Sequence, residues 1–125
     1  MTHQIIPRAL PRLLCSLILP LALGTLSTSA WAEEPLSDAD KTKAEKLFKT
    51  QLCMSCHKTD KKLVGPGFAE VAAKYGDDPK AVDTISEHIS KGGKGRWGKM
   101  AMPPQPQVQP DDVKLLARWI MSMKK

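Results

Sequence analysis

The sequence predicts an all-α domain of four to five short helices. After residue 32, apolar residues recur at intervals of three and four, and helix-capping residues stand at the ends of these segments. Neither an internal repeat nor the alternating apolar and polar pattern of a strand is present. Residues 1–32 are predicted to be a removable leader, which would leave 93 residues, 33–125, the size of one domain.

The first helix is predicted to begin after Ser37, a preferred N-cap residue that is followed by acidic residues. Ala44, Leu47 and Phe48 then recur at helical spacing until the chain reaches Cys53. We therefore expect the segment that starts at Cys53 to close this helix.

Two shorter helices are predicted next. Apolar residues from Phe68 to Tyr75 indicate the second helix, and Gly76 is suited to end it. Asp77-Asp78-Pro79 is predicted to cap the third helix, which Gly92-Gly93 ends.

The rest of the chain divides into a loop and a last helix. Residues 92–109 are rich in Gly, Pro, Lys and Gln, which predicts a long loop of the kind that carries function. Pro110 is suited to open the last helix, where Val113, Leu116 and Ile120 belong to a broad apolar face.

The N-terminus has the pattern of an export signal. Arg8 and Arg12 form a positive region, Leu13–Leu23 is apolar, and Ala30-Trp31-Ala32 is a small-x-small cleavage site. Cleavage is predicted after Ala32. Retention as a membrane anchor is the disfavoured alternative, because the apolar run is short for a spanning helix and contains Pro20.

Cys53-Met54-Ser55-Cys56-His57 has the C-x-x-C-H pattern of covalent haem attachment. Two thiols at this spacing can form thioether bonds to the two vinyl groups of a porphyrin, and the adjacent imidazole can bind its iron. A thioredoxin-like pair would need a preceding strand, and the sequence shows no strand pattern there. A structural zinc site would need about four ligands, and beyond this motif the predicted mature chain offers only His88 and carboxylates. The pattern therefore predicts one covalent haem c, attached through Cys53 and Cys56, with His57 as an iron ligand.

A second iron ligand is predicted in the loop, where Met102 precedes Pro103-Pro104. A methionine thioether closes the sixth position of a haem iron and raises its reduction potential, and the prolines stiffen the backbone that follows. Met100 is a rival, because side chains two residues apart in an extended segment face the same side. Periodicity alone does not choose between them.

Several further motifs occur in a familiar order along the chain. They are Cys53 to His57, Leu63-Val64-Gly65-Pro66, Val71-Ala72-Ala73-Lys74, Gly95-Arg96-Trp97-Gly98, Met102-Pro103-Pro104 and Ala117-Arg118-Trp119. With them, the chain closely resembles the short bacterial class I cytochromes c that donate electrons to cytochrome cd nitrite reductase and terminal oxidases. The resemblance covers nearly all of residues 36–125. It implies the small class I cytochrome c fold, with Phe48 and Trp119 at the crossing of the first and last helices.

The resemblance also implies roles for individual residues. It implies Met102 as the axial methionine, the carbonyl of Pro66 as acceptor for the His57 ring N–H, and Trp97 as donor to a haem propionate. The chain departs from the family pattern at Lys99-Met100-Ala101, which replaces a proline, an aliphatic residue and a second proline.

These observations predict a periplasmic monohaem carrier of single electrons, not an enzyme, and a monomer without a membrane span after cleavage. The alternatives are a haem subunit of a larger complex, or an enzyme or sensor with an open sixth site. The predicted mature chain keeps 17 basic and 13 acidic residues, a net charge of +4. A basic face is predicted to steer redox partners, which would be a membrane cytochrome donor and reductase or oxidase acceptors. Its candidate residues are Lys58, Lys61, Lys62, Lys91, Lys94 and Lys99.

Overall fold

The computed structural model describes residues 34–125, which form four α-helices and one short 3₁₀ turn. The predicted export signal lies outside these residues. Within them the all-α prediction is confirmed, and the nearest approach to a sheet is an isolated antiparallel bridge between Gly93 and Met102. The helices are α1 (Asp38–Thr50), α2 (Phe68–Tyr75), α3 (Ala81–Lys91) and α4 (Pro110–Met121).

Helix α1 begins where its cap predicts. The Ser37 hydroxyl accepts a hydrogen bond from the Asp40 backbone N–H at 3.1 Å, which satisfies one of the free donors of the first turn. The end of the helix differs from the prediction. Helix α1 stops at Thr50, Leu52 takes a left-handed conformation with φ 59°, and Cys53–Ser55 form a separate 3₁₀ turn. The left-handed residue interrupts the helical hydrogen-bond ladder, so the cysteines leave the helix axis.

Helices α2 and α3 follow the sequence prediction closely. The N–H of Gly67 donates to the Glu70 carboxylate at 2.8 Å at the start of α2, and Gly76 ends that helix. Helix α3 begins two residues after Pro79, because the Asp78 carboxylate binds the N–H of Lys80 at 2.9 Å and forms a turn first.

The core lies where α4 packs against the other three helices. Phe48 of α1 and Trp119 of α4 have ring centroids 4.5 Å apart, which confirms the predicted crossing of the first and last helices. Phe68 of α2 completes the cluster, with its centroid 4.7 Å from that of Phe48. Among the described residues, no helix is both long enough and apolar enough to span a bilayer.

Candidate haem site

A cavity of about 430 Å³ brings the predicted site residues together. Its volume falls within the usual range of cofactor pockets, and most of its wall is apolar. The six residues singled out from the sequence all line it. They are Cys53, Cys56, His57, Pro66, Trp97 and Met102.

Cys53 begins the 3₁₀ turn, and Cys56 directly follows it. The carbonyl of Cys53 accepts hydrogen bonds from the N–H groups of Cys56 and His57, at 3.2 and 3.0 Å, which closes the turn around the motif. Cys53 is half-buried, Cys56 is exposed, and no disulfide joins them. Burial raises the pKa of the Cys53 thiol. A redox-active C-x-x-C pair shows the opposite shift, because it works through a stabilised thiolate.

The imidazole of His57 is held on two sides. Its Nδ1 lies 2.8 Å from the carbonyl oxygen of Pro66. Because a carbonyl only accepts, Nδ1 carries the proton, and Nε2 is left with a lone pair that can bind a metal. The ring stacks on Phe68, with centroids 5.2 Å apart and planes 13° from parallel. A side chain on Gly65 would overlap the ring, so this glycine is required by close approach.

Met102 is fixed by backbone hydrogen bonds. Its N–H donates to the carbonyl of Gly93 at 2.8 Å, and the N–H of Gly93 donates to the carbonyl of Met102 at 3.0 Å. The side chain of Met102 is half-buried and packs against the core. Met100 also lines the cavity, but it is 69% exposed, and residues 94–101 make no backbone–backbone hydrogen bonds. The two methionines therefore differ in how firmly the fold positions them.

Trp97 stands in the same loop under a lysine from α2. The Lys74 ammonium lies 4.3 Å from the centre of the Trp97 ring, a cation–π contact. The same ammonium donates to the carbonyl of Arg96 at 3.0 Å. Lys74 thus fastens the middle of the loop to helix α2.

His88 also lines the cavity, from helix α3. Its Nδ1 lies 3.5 Å from the Tyr75 hydroxyl. Burial, and then the charge of Arg96, lower the pKa of His88, which favours a neutral ring at neutral pH.

The residues present fit a haem. The cavity offers two thiols, an imidazole with a free Nε2 and thioether sulfur, which are the ligand types that haem attachment and haem iron require. Its apolar wall suits the porphyrin ring. Among residues 34–125, no group of three His, Cys, Asp or Glu side chains is gathered as an alternative metal site.

The comparison with protein families agrees with this chemistry. The family model described as Cytochrome c matches residues 42–124. The chain belongs to the cytochrome c family. Members bind one covalently attached haem c with its iron, act in electron transfer and work with redox partners, and Cys53 and Cys56 fit the attachment site.

Individual relatives identify the type of cytochrome c. The chain is 50% identical to cytochrome c-551 of Pseudomonas denitrificans over 80 residues, which cover 64% of this chain and 96% of that protein. It is 44% identical to cytochrome c-551 of Stutzerimonas stutzeri over 108 residues, which cover 86% of this chain and 96% of the relative. The crystal structure of wild-type Nitrosomonas europaea cytochrome c552 aligns with a TM-score of 0.63 at 39% identity, over 64% of this chain and 99% of that one. The small class I fold implied by the motifs is therefore confirmed.

Sequence reasoning missed several residues that shape this cytochrome site. The sequence indicates Phe68 only as a helix residue, yet it stacks on His57. Lys74 was part of a family motif without a role, yet it holds the loop. The sequence offers one signal for the close contacts around His57, the segment Gly65-Pro66-Gly67. Two glycines around a proline indicate that the backbone approaches another group closely.

Proposed function

We propose that this cytochrome is a periplasmic carrier of single electrons whose haem iron is bound by His57 and Met102. The observation that supports it most is that these two side chains, from separate segments, line one cavity that also contains both cysteines. If His57 and Met102 both bind the iron, no coordination site would be left for a substrate, so we propose that the protein is not an enzyme.

The bound haem supplies a one-electron couple between its ferrous and ferric iron. The protein's contribution is rigidity. Pro66 fixes the tautomer and orientation of His57, and Gly93 fixes the backbone of Met102. With haem bound, His57 and Met102 held in this way would move little when the charge of the iron changes, which would keep electron exchange fast.

Met102 is proposed as the axial ligand in preference to Met100. Two hydrogen bonds to Gly93 hold its backbone, and its side chain packs against the core. Met100 would have to give up an exposed position and order residues 94–101, which make no backbone–backbone hydrogen bonds. The family resemblance points to the same residue.

Redox partners are proposed to dock on the basic face. Lys61, Lys62, Lys94 and Lys99 are exposed, whereas Lys91 is paired with Glu87 at 2.9 Å. Lys94 also lines the cavity. Exposed lysines on one face would raise the rate of encounter with acidic partners, such as a membrane cytochrome donor and a reductase or oxidase acceptor. We propose that the protein does so as a monomer, after removal of residues 1–32 during export.

The near-infrared charge-transfer band of methionine-bound ferric haem tests the ligand assignment. We expect the band in the oxidised wild type and in Met100→Ala, and its loss in Met102→Ala. Met100→Ala is the matched control, because it removes the neighbouring thioether from the same loop. A band that survives Met102→Ala and disappears in Met100→Ala would make Met100 the ligand.

The open-site alternative gives different results in two assays. An enzyme or sensor with a free sixth position would lack the band in the wild type, and its reduced form would bind carbon monoxide readily. The closed site predicts little carbon monoxide binding in the wild type and binding in Met102→Ala. If the cytochrome is a subunit of a larger complex, it should elute from a native periplasmic extract at a size well above its own.

A further inference from the structure

The charged residues around the cavity are all positive. Lys94 and Arg96 line it, together with the polar ring of His88, and no Asp or Glu side chain lines it. These three residues lie within residues 88–96 of the chain, whereas the cysteines lie at and directly after the 3₁₀ turn. The lining therefore has a single cationic region, which is suited to an anionic group.

The structure holds Arg96 in this region through its backbone. Lys74 donates to the carbonyl of Arg96 at 3.0 Å and covers the ring of Trp97. Gly95 and Gly98, on either side of this pair, have φ values of 84° and 123°, which other residues rarely adopt. The guanidinium itself makes no hydrogen bond or ion pair within residues 34–125, so its donors are available.

The positive charge of Arg96 also acts on His88. Arg96 and His88 both line the cavity, and the positive charge of Arg96 lowers the pKa of His88. Glu87, on the same helix as His88, raises that pKa but is itself paired with Lys91, and Tyr75 of α2 faces the ring. Of the residues that the structure describes, Arg96 and Lys94 are thus the two cationic side chains in the cavity wall.

We propose that Arg96, assisted by Lys94, binds a propionate carboxylate of the haem. The inference rests on the proposed function, in that the cavity must contain the haem. A porphyrin attached through its vinyl groups still carries two carboxylates, and a carboxylate removed from water needs a charged or hydrogen-bonding partner. A guanidinium is suited to this task, because its planar fork can donate two parallel hydrogen bonds to one carboxylate.

The test compares Arg96→Gln with Arg96→Lys and with Lys99→Gln in the holoprotein. Lys99→Gln is the matched control, because it removes the same charge from the same loop at a residue that does not line the cavity. NMR of the haem substituents across a pH series reports the ionisation of each propionate. An opposite charge at hydrogen-bond distance lowers the pKa of a carboxyl group. Arg96→Gln removes that charge, so we expect the acid dissociation constant of one propionate to fall about tenfold. Arg96→Lys should restore part of the wild-type acid dissociation constant, and Lys99→Gln should change that constant little.

The outcomes separate this inference from the proposed function. If Arg96→Gln and Lys99→Gln give the same small shift, Arg96 does not bind the propionate. If Arg96→Gln changes only the salt dependence of electron exchange with a partner protein, Arg96 is a docking residue and the inference is wrong. In both cases an intact methionine charge-transfer band would leave the His57 and Met102 assignment standing, and the absence of that band in the wild type would overturn the proposed function itself.

Discussion

Gly92→Ala should disturb the loop that contains Met102, residues 92–109, more than an alanine at any other glycine of that loop. Gly92 ends helix α3 with φ 74° and ψ −173°, a backbone conformation that is almost restricted to glycine. A Cβ at this position would also lie under 3.0 Å from the carbonyl oxygen of Met102, and no real Cβ contact is so short. The alanine therefore has to move either helix α3 or the Met102 backbone.

The size of the effect follows from two contributions. The strained conformation costs about 2 kcal/mol for an alanine. Displacing the carbonyl of Met102 breaks its bridge to Gly93, and the loss of two hydrogen bonds adds about 2 kcal/mol. We therefore expect Gly92→Ala to lower the free energy of unfolding by roughly 4 kcal/mol, and to weaken or abolish the charge-transfer band.

Gly95→Ala is the control for backbone conformation alone. Gly95 also has a positive φ, 84°, but a Cβ there would meet no atom within 4 Å. It should cost about 1 kcal/mol and leave the band unchanged. Equilibrium denaturation of both oxidised holoproteins, followed by haem absorbance, measures the difference. If the two variants are equally stable and both keep the band, the bridge between Gly93 and Met102 does not position the proposed ligand, Met102.

Two further predictions concern Leu52 and His88. Leu52 is 72% exposed and has φ 59°, a left-handed conformation that is strained for leucine but not for glycine. Leu52→Gly should therefore stabilise the holoprotein by roughly 0.5–1 kcal/mol in the same denaturation assay. A loss of stability would mean that the leucine side chain makes a contact worth more than its backbone strain. The pKa of His88 is lowered below its usual 6.5 by burial and by Arg96, so the unfolded chain binds more protons there. The contribution of the neutral ring to stability is complete above about pH 6.5 and is lost as the pH falls toward the lowered pKa of the folded state. Stability measured across a pH series should therefore decline less on acidification in His88→Asn than in the wild type, and an equal decline in both would show that His88 is not the group responsible.

The helices were predictable because their signals are local. Ser37 caps α1, Gly76 ends α2 and Pro110 opens α4, as the sequence predicts. Capping and periodicity depend on neighbours within one or two turns, so a single segment contains the information. The prediction for the end of α1 was wrong, because nothing in the local sequence indicates that Leu52, a non-glycine residue, adopts a left-handed conformation and separates the helix from Cys53.

The sequence by itself determined the chemistry of this cytochrome. The spacing of Cys53, Cys56 and His57 predicts covalent haem attachment and iron binding, because both depend on residue types a few positions apart. Tertiary structure alone decided which groups support that chemistry. Phe68 meets the ring of His57, and Gly93 holds the backbone of Met102, through contacts between segments that are distant in sequence. Such contacts form only when packed helices bring the segments together, which is why local patterns left Met100 and Met102 as rivals while the fold positions them differently.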